Sequence, residues 1–140
     1  MTKRKTLVQD IMTEEVVSAT PDMSLLEAYK LMAENDVRRL PVVQDELMGI
    51  ITLSDILRAI PALMIEPDRE TRLMLSTRSV REIMSRDPYF VYVDDTIQDA
   101  AERMLENQVS GLPVVEGRGV IGIITESDLF RLVVESWSEA

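Results

Sequence analysis

The sequence contains neither cysteine nor histidine. The first absence excludes disulfides, thiolate nucleophiles and thiolate metal sites. The second excludes Ser-His-Asp chemistry and imidazole zinc ligands. Aromatic residues make up 4% of the chain, and no basic stripe is interleaved with stacking rings, as nucleic-acid binding would require. Cations are scarce as well: 15 Lys and Arg face 25 Asp and Glu, a formal charge of −10. Such a field repels nucleic-acid phosphate and anionic lipid surfaces, while leaving room for a local cationic pocket for one small anion. No segment reaches the roughly 18 consecutive apolar residues of a membrane span. The basic start, Met1 to Thr6, runs only into Leu7-Val8 before Gln9 and Asp10, which is no signal-peptide core. The expectation is a cytoplasmic protein with no membrane insertion and no nucleic-acid partner.

What is present is a globular composition, 46% apolar and 29% charged over 140 residues, enough for one ordinary domain or two small repeats. The chain repeats itself. Residues 8–43 align with 80–115, pairing Val8 with Val80, Ile11-Met12 with Ile83-Met84, Ala28 with Ala100, Met32 with Met104 and Glu34-Asn35 with Glu106-Asn107. Leu40-Pro41-Val42-Val43 then falls on Leu112-Pro113-Val114-Val115. After a one-residue insertion, Gly49-Ile50-Ile51-Thr52 falls on Gly122-Ile123-Ile124-Thr125, Ser54-Asp55 on Ser127-Asp128, and Arg58 on Arg131.

Each copy has the same coarse pattern. A short apolar start leads to a β-prone stretch, Val16 to Ala19 or Tyr89 to Tyr92. Ser24 with Glu27 has the spacing of a capping box. Behind it Leu25, Ala28, Tyr29 and Met32 follow helical spacing, and Thr96 opens the equivalent stripe Ile97, Ala100, Ala101 and Met104. Two strands separated by turn-like residues follow, Leu40–Val43 and Met48–Ile51, then Leu112–Val115 and Val120–Ile124. A closing helix starts near Ser54 and again near Ser127. Val42, Val43, Val114 and Val115 read as core. The expected fold is α+β with α/β-type repeats: two β-α-β-β-α units packed with pseudo-two-fold symmetry. The domains expected are 7–60, a partly helical linker 61–79, a second repeat 80–134 and a tail 135–140. Leu63, Met64, Ile65, Leu73, Met74 and Leu75 make the linker either a helix packed on the core or a subunit interface.

Over residues 8–134 the chain resembles a tandem pair of cystathionine-β-synthase (CBS) domains, a Bateman module. The resemblance is carried by the doubled Leu-Pro-Val-Val strand, the Asp-Ile-Met and Glu-Ile-Met starts and the doubled Gly-Ile-Ile-Thr-x-Ser-Asp. It implies adenosyl ligands (AMP, ADP, ATP or S-adenosylmethionine) bound in clefts between the repeats, with no catalytic cofactor. A ribose presents two neighbouring hydroxyls, and one carboxylate can accept from both; Asp55 and Asp128 fit that role. Thr52, Ser54, Thr125 and Ser127 offer hydroxyls beside a helix start, where phosphate is favoured. The competing reading is that Ser54 and Asp55 merely cap a helix.

By the same resemblance an adenine contacts Thr13, Val16, Val17, Val37 and Arg38 in the first copy, and Ser85, Pro88, Tyr89, Val109 and Ser110 in the second. The family pattern pairs Thr13, Val17, Val37 and Arg38 with Thr125, Ser127 and Asp128. It pairs Ser85, Tyr89, Val109 and Ser110 with Thr52, Ser54 and Asp55. The copies differ where Arg38-Arg39 faces Ser110-Gly111. Arg suits phosphate by its planar fork, so the first copy holds the more cationic chemistry, although a plain surface role fits either arginine.

The function expected is a sensor that transmits ligand occupancy to a regulated protein or to its own assembly. The alternative is a structural interaction module with vestigial clefts. No Walker loop, dinucleotide fingerprint, catalytic residue set or metal cluster stands out, so no enzyme is expected. A homodimer is expected, because Leu129, Phe130, Leu132, Val133 and Val134 on one closing helix exceed what a single sheet can bury. Ile56, Leu57 and Ile60, running on to Ile65, repeat the pattern. The alternative there is that the linker and the Trp137-containing tail fold back over these stripes and leave a monomer.

Overall fold

The computed structural model describes residues 6–14, 16–60 and 67–138. The chain divides into two compact units, one made of Met1–Val16 with Tyr89–Ala140, the other of Val17–Pro88. The boundaries do not follow the sequence repeats. Each repeat gives its opening segment to the unit that holds the other repeat's hairpin.

In the unit Val17–Pro88, helix α2 (Leu25–Asn35) begins at Ser24, whose Oγ accepts from the Glu27 N–H at 3.0 Å, and stops at Asp36, which turns left-handed at φ 53°. A hairpin follows, β1 (Arg39–Gln44) against β2 (Glu46–Thr52), with a bulge between Val42 and Val43. Helix α3 (Leu53–Ala59) leaves β2 at once. The stretch from the first repeat to the second carries α4 (Pro67–Thr77), with Leu75 buried, Met74 packed on the core and Leu73 exposed. Leu63, Met64 and Ile65 lie outside the described residues. The opening turn of the second repeat, α5 (Val80–Ile83), and the strand β3 (Ser85–Arg86) complete the unit. β3 pairs antiparallel with β2, while Ala19 bridges β1 in parallel on the far edge. The core joins Leu25, Ala28, Met32, Leu40, Val42, Ile51 and Ile56 of the first repeat to Val80 and Met84 of the second.

The other unit repeats this order. α1 (Val8–Ile11) packs with a sheet of β4 (Val91–Tyr92), β5 (Gly111–Glu116) and β6 (Gly119–Thr125). β4 is parallel to β5, β5 antiparallel to β6, and Thr13 bridges the free edge of β6. α6 (Ile97–Asn107) starts in a full capping box of Thr96 and Asp99 and ends at Gln108, φ 54°. α7 (Glu126–Ser138) closes the unit. Val8 of the first repeat lies in one core with Val91, Ala100, Met104, Leu112, Val114 and Ile124 of the second.

Two local expectations change. The β-prone stretches form little strand, a single bridge at Ala19 and the two residues of β4, because only one residue pair or two reach the edge of each hairpin. Val43 is half-buried rather than core, while Val42, Val114 and Val115 are buried. The closing helices start near Ser54 and Ser127 as expected, one residue ahead of each. Thr52 caps α3, and Glu126 opens α7.

Candidate functional site

The duplicated Thr-x-Ser-Asp places the same constellation at the strand-to-helix turn of both units. In the unit Val17–Pro88, Asp55 Oδ2 accepts from the Thr52 N–H at 3.0 Å, and Thr52 Oγ1 accepts from the Asp55 N–H at 3.1 Å. This reciprocal box satisfies two of the donors that a helix start leaves open. Asp55 therefore does cap, with Thr52 rather than Ser54 as its partner, and Ser54 is exposed. The second carboxylate oxygen takes the Arg58 Nη2 at 2.6 Å.

In the other unit, Asp128 Oδ2 accepts from the Thr125 N–H at 2.9 Å and from the Thr125 hydroxyl at 3.2 Å. Its Oδ1 takes Arg131 Nη1 at 3.4 Å. Asp128 is the one buried charged residue among those described, 7% exposed. A buried carboxylate is retained only with hydrogen-bond partners, and here they come from its own turn. Ser127 is exposed and, with Glu126, Phe130 and Arg131, lines an open hollow of about 450 Å³.

The exchanged openers bring other expected residues to these turns. Thr13 and Ile123 exchange backbone hydrogen bonds at 2.9 Å in both directions, two residues before Thr125. Thr13 of the first repeat thus stands in one unit with Asp128 of the second, whereas Val17, Val37 and Arg38 stand in the unit with Asp55. Ser85 likewise pairs with Ile50, two residues before Thr52 and in one unit with Asp55. The residues before Leu-Pro are placed next to their own closing helix. The Leu53 N–H donates to the Arg38 carbonyl at 2.8 Å, and the Glu126 N–H to the Ser110 carbonyl at 2.9 Å. Val37 follows its helix through a 3.0 Å bond from its N–H to the Met32 carbonyl, and Val109 through one of 3.1 Å to Met104. Arg38 is exposed, and Arg39 is half-buried in β1 opposite Thr52. Val17 and Val37 pack on the core of the unit that holds Asp55, and Pro88 ends that unit. Val16, Tyr89, Val109 and Ser110 belong to the unit with Asp128. Tyr89 is exposed.

Sequence reasoning missed four participants. Arg58 and Arg131 sit three residues after each aspartate, and their identity across the repeats was the available signal. Gly49 and Gly122 admit the openers. A Cβ on Gly49 would lie 2.5 Å from the Ser85 carbonyl oxygen, and one on Gly122 2.5 Å from Met12 Sδ. No group of three or more acidic side chains that could hold a metal ion occurs among the described residues. Nor does any helix there have the length and apolarity to cross a membrane.

A family model for the CBS domain matches residues 8–62 and 80–135. The chain belongs to the CBS domain family. Its fold agrees with that of the CBS domain pair of protein MJ0100 in complex with 5′-methylthioadenosine and S-adenosyl-L-methionine. That chain is 31% identical with a TM-score of 0.78, over 95% of this chain and 99% of the other. CBSX2 in complex with AMP is 27% identical with a TM-score of 0.77, over 93% and 97%. Among curated proteins, the L-aspartate semialdehyde sulfurtransferase of Methanocaldococcus jannaschii is 32% identical over 91% of this chain. This CBS chain spans only 23% of that enzyme, and 24% of a homoserine O-acetyltransferase of Methanohalobium evestigatum. CBS domain pairs are in general regulatory modules, and these enzyme names belong to much longer proteins.

Proposed function

We propose that this CBS pair is a non-catalytic, cytoplasmic sensor of an adenosyl ligand, with residues 7–60 and 80–134 as its repeats, 61–79 as linker and 135–140 as tail. The observation that carries this reading is the doubled carboxylate turn with an opener of the other repeat beside it, Thr13 with Asp128 and Ser85 with Asp55. Asp55 and Asp128 accept the ribose hydroxyls. The neighbouring Thr52, Ser54, Thr125 and Ser127 supply hydroxyls, and Val16, Val17, Val37, Pro88, Tyr89 and Val109 supply apolar contact for a base. Arg38, exposed beside the start of α3, supplies a cation for phosphate, and its counterpart Ser110 does not. Structures of relatives with S-adenosyl-L-methionine, 5′-methylthioadenosine and AMP support the ligand class.

The exposed apolar residues of α7 support a homodimer as the unit that transmits occupancy. Phe130, Val133, Val134 and Trp137 are all exposed, and a tail folded over the stripe would have covered them. A regulated protein is the second recipient.

A thermal-shift panel with AMP, ADP, ATP, S-adenosylmethionine and NAD, followed by calorimetry, tests the reading. Stabilisation by at least one adenosyl compound is expected. No response to any of them would leave only the structural interaction module.

A further inference from the structure

We propose that Arg131 is a latch on the Asp128 site: it must leave the carboxylate before a vicinal diol can bind, whereas Arg58 can stay on Asp55. The inference rests on the adenosyl reading above. A carboxylate offers about four acceptor positions, two on each oxygen. At Asp128 the Thr125 N–H and hydroxyl fill Oδ2, and Arg131 takes one position on Oδ1. Among the described residues one position is left, and a ribose brings two hydroxyls. At Asp55 the Thr52 N–H takes one position on Oδ2 and Arg58 one on Oδ1. Two positions remain there, enough for a diol with the arginine in place.

Burial sharpens the contrast. The Asp128 side chain is 6% exposed and that of Asp55 14%, so Asp128 presents less of its carboxylate to an incoming diol. The Arg131 cover is built to move. The Arg131 contact of 3.4 Å lies at the long end for a hydrogen bond, against 2.6 Å for Arg58. The Arg131 side chain is 67% exposed and lines the hollow of about 450 Å³, where Glu126 provides a carboxylate along the wall. A guanidinium swinging into that space keeps a counter-charge and opens both positions on Oδ1. The two sites thus differ in their free state: one is open to a diol and the other closed by its own helix.

Adenosine is the suitable probe, because it carries the diol and no phosphate. Calorimetry in the Asp55→Asn background isolates the Asp128 site. There, Arg131→Gln is expected to tighten adenosine binding about two- to five-fold at low salt, the size of an ion pair with one exposed partner. The gain should shrink as salt rises, because screening already weakens the pair in the parent. The mirror experiment, Arg58→Gln in the Asp128→Asn background, should give no tightening. Melting curves confirm that each variant is folded. The latch is overturned if Arg131→Gln leaves affinity unchanged or lower, if Arg58→Gln gives the same gain, or if Asp55→Asn abolishes a binding that the parent shows and Arg131→Gln does not restore it. A parent that binds no adenosine, AMP or S-adenosylmethionine would instead remove the adenosyl reading itself.

Discussion

Replacing Gly49 by alanine tests whether the exchanged openers are part of the folded core. The new Cβ would lie 2.5 Å from the Ser85 carbonyl oxygen and 3.1 Å from Met84 Sδ, where ordinary contact begins at 3.4 Å. The oxygen belongs to backbone, so β3 as a whole must retreat by about 0.9 Å. β3 is two residues long and held through Arg86 and Ser85 opposite Gly49 and Ile50. Its retreat draws Met84, 7% exposed, from the core. Overpacking of this kind costs about 1–3 kcal/mol, and partial loss of a methionine's burial adds about 1 kcal/mol. The expected total is about 2–4 kcal/mol. Gly122→Ala is the internal control. There the 2.5 Å neighbour is Met12 Sδ, the mobile end of a half-buried side chain, and the backbone oxygen of Thr13 is 3.0 Å away. A rotamer change absorbs most of that clash, so about 1–2 kcal/mol is expected. Urea unfolding followed by circular dichroism reads both as shifts in midpoint at constant slope. A Gly49→Ala protein within about 0.5 kcal/mol of the parent, or less affected than Gly122→Ala, would refute the argument that backbone contact makes the first glycine indispensable.

Asp128→Ala should weaken adenosyl binding at its cleft about ten-fold, the worth of a hydrogen bond to a charged group. It should also cost about 1 kcal/mol of stability, since the same carboxylate holds the Thr125 N–H; calorimetry and thermal melting separate the two effects, and wild-type affinity for every adenosyl ligand in both Asp128→Ala and Asp55→Ala would end the ribose assignment. Phe130→Ser with Trp137→Ser should shift the species seen by light scattering from dimer towards the 15.9 kDa monomer, and a parent already monomeric at tens of micromolar removes the dimer. A gel shift at low salt should show no submicromolar binding to duplex or single-stranded DNA, because a chain of charge −10 gains little from counterion release.

The duplication, the helices α2 and α6, both hairpins and the doubled carboxylate turn were legible in the sequence. Each depends on residues close together along the chain: a cap such as Thr96, a stripe such as Leu25, Ala28 and Met32, a turn between two apolar runs. The turn residues Thr52, Asp55, Thr125 and Asp128 were legible for the same reason, as a motif of four consecutive positions seen twice. What tertiary structure alone decided is which surfaces those pieces meet. Val8 entering the core around Leu112, and Val80 the core around Leu40, are contacts between residues far apart along the chain, and no local propensity encodes them. The β-prone stretches stayed mostly out of the sheets because pairing depends on the reach of the hairpin edge, not on the stretch itself. The occupancy of each carboxylate was invisible for a similar reason. Identical Asp and Arg spacing closes around Asp128 and leaves Asp55 more open, a difference set by how far each turn is buried.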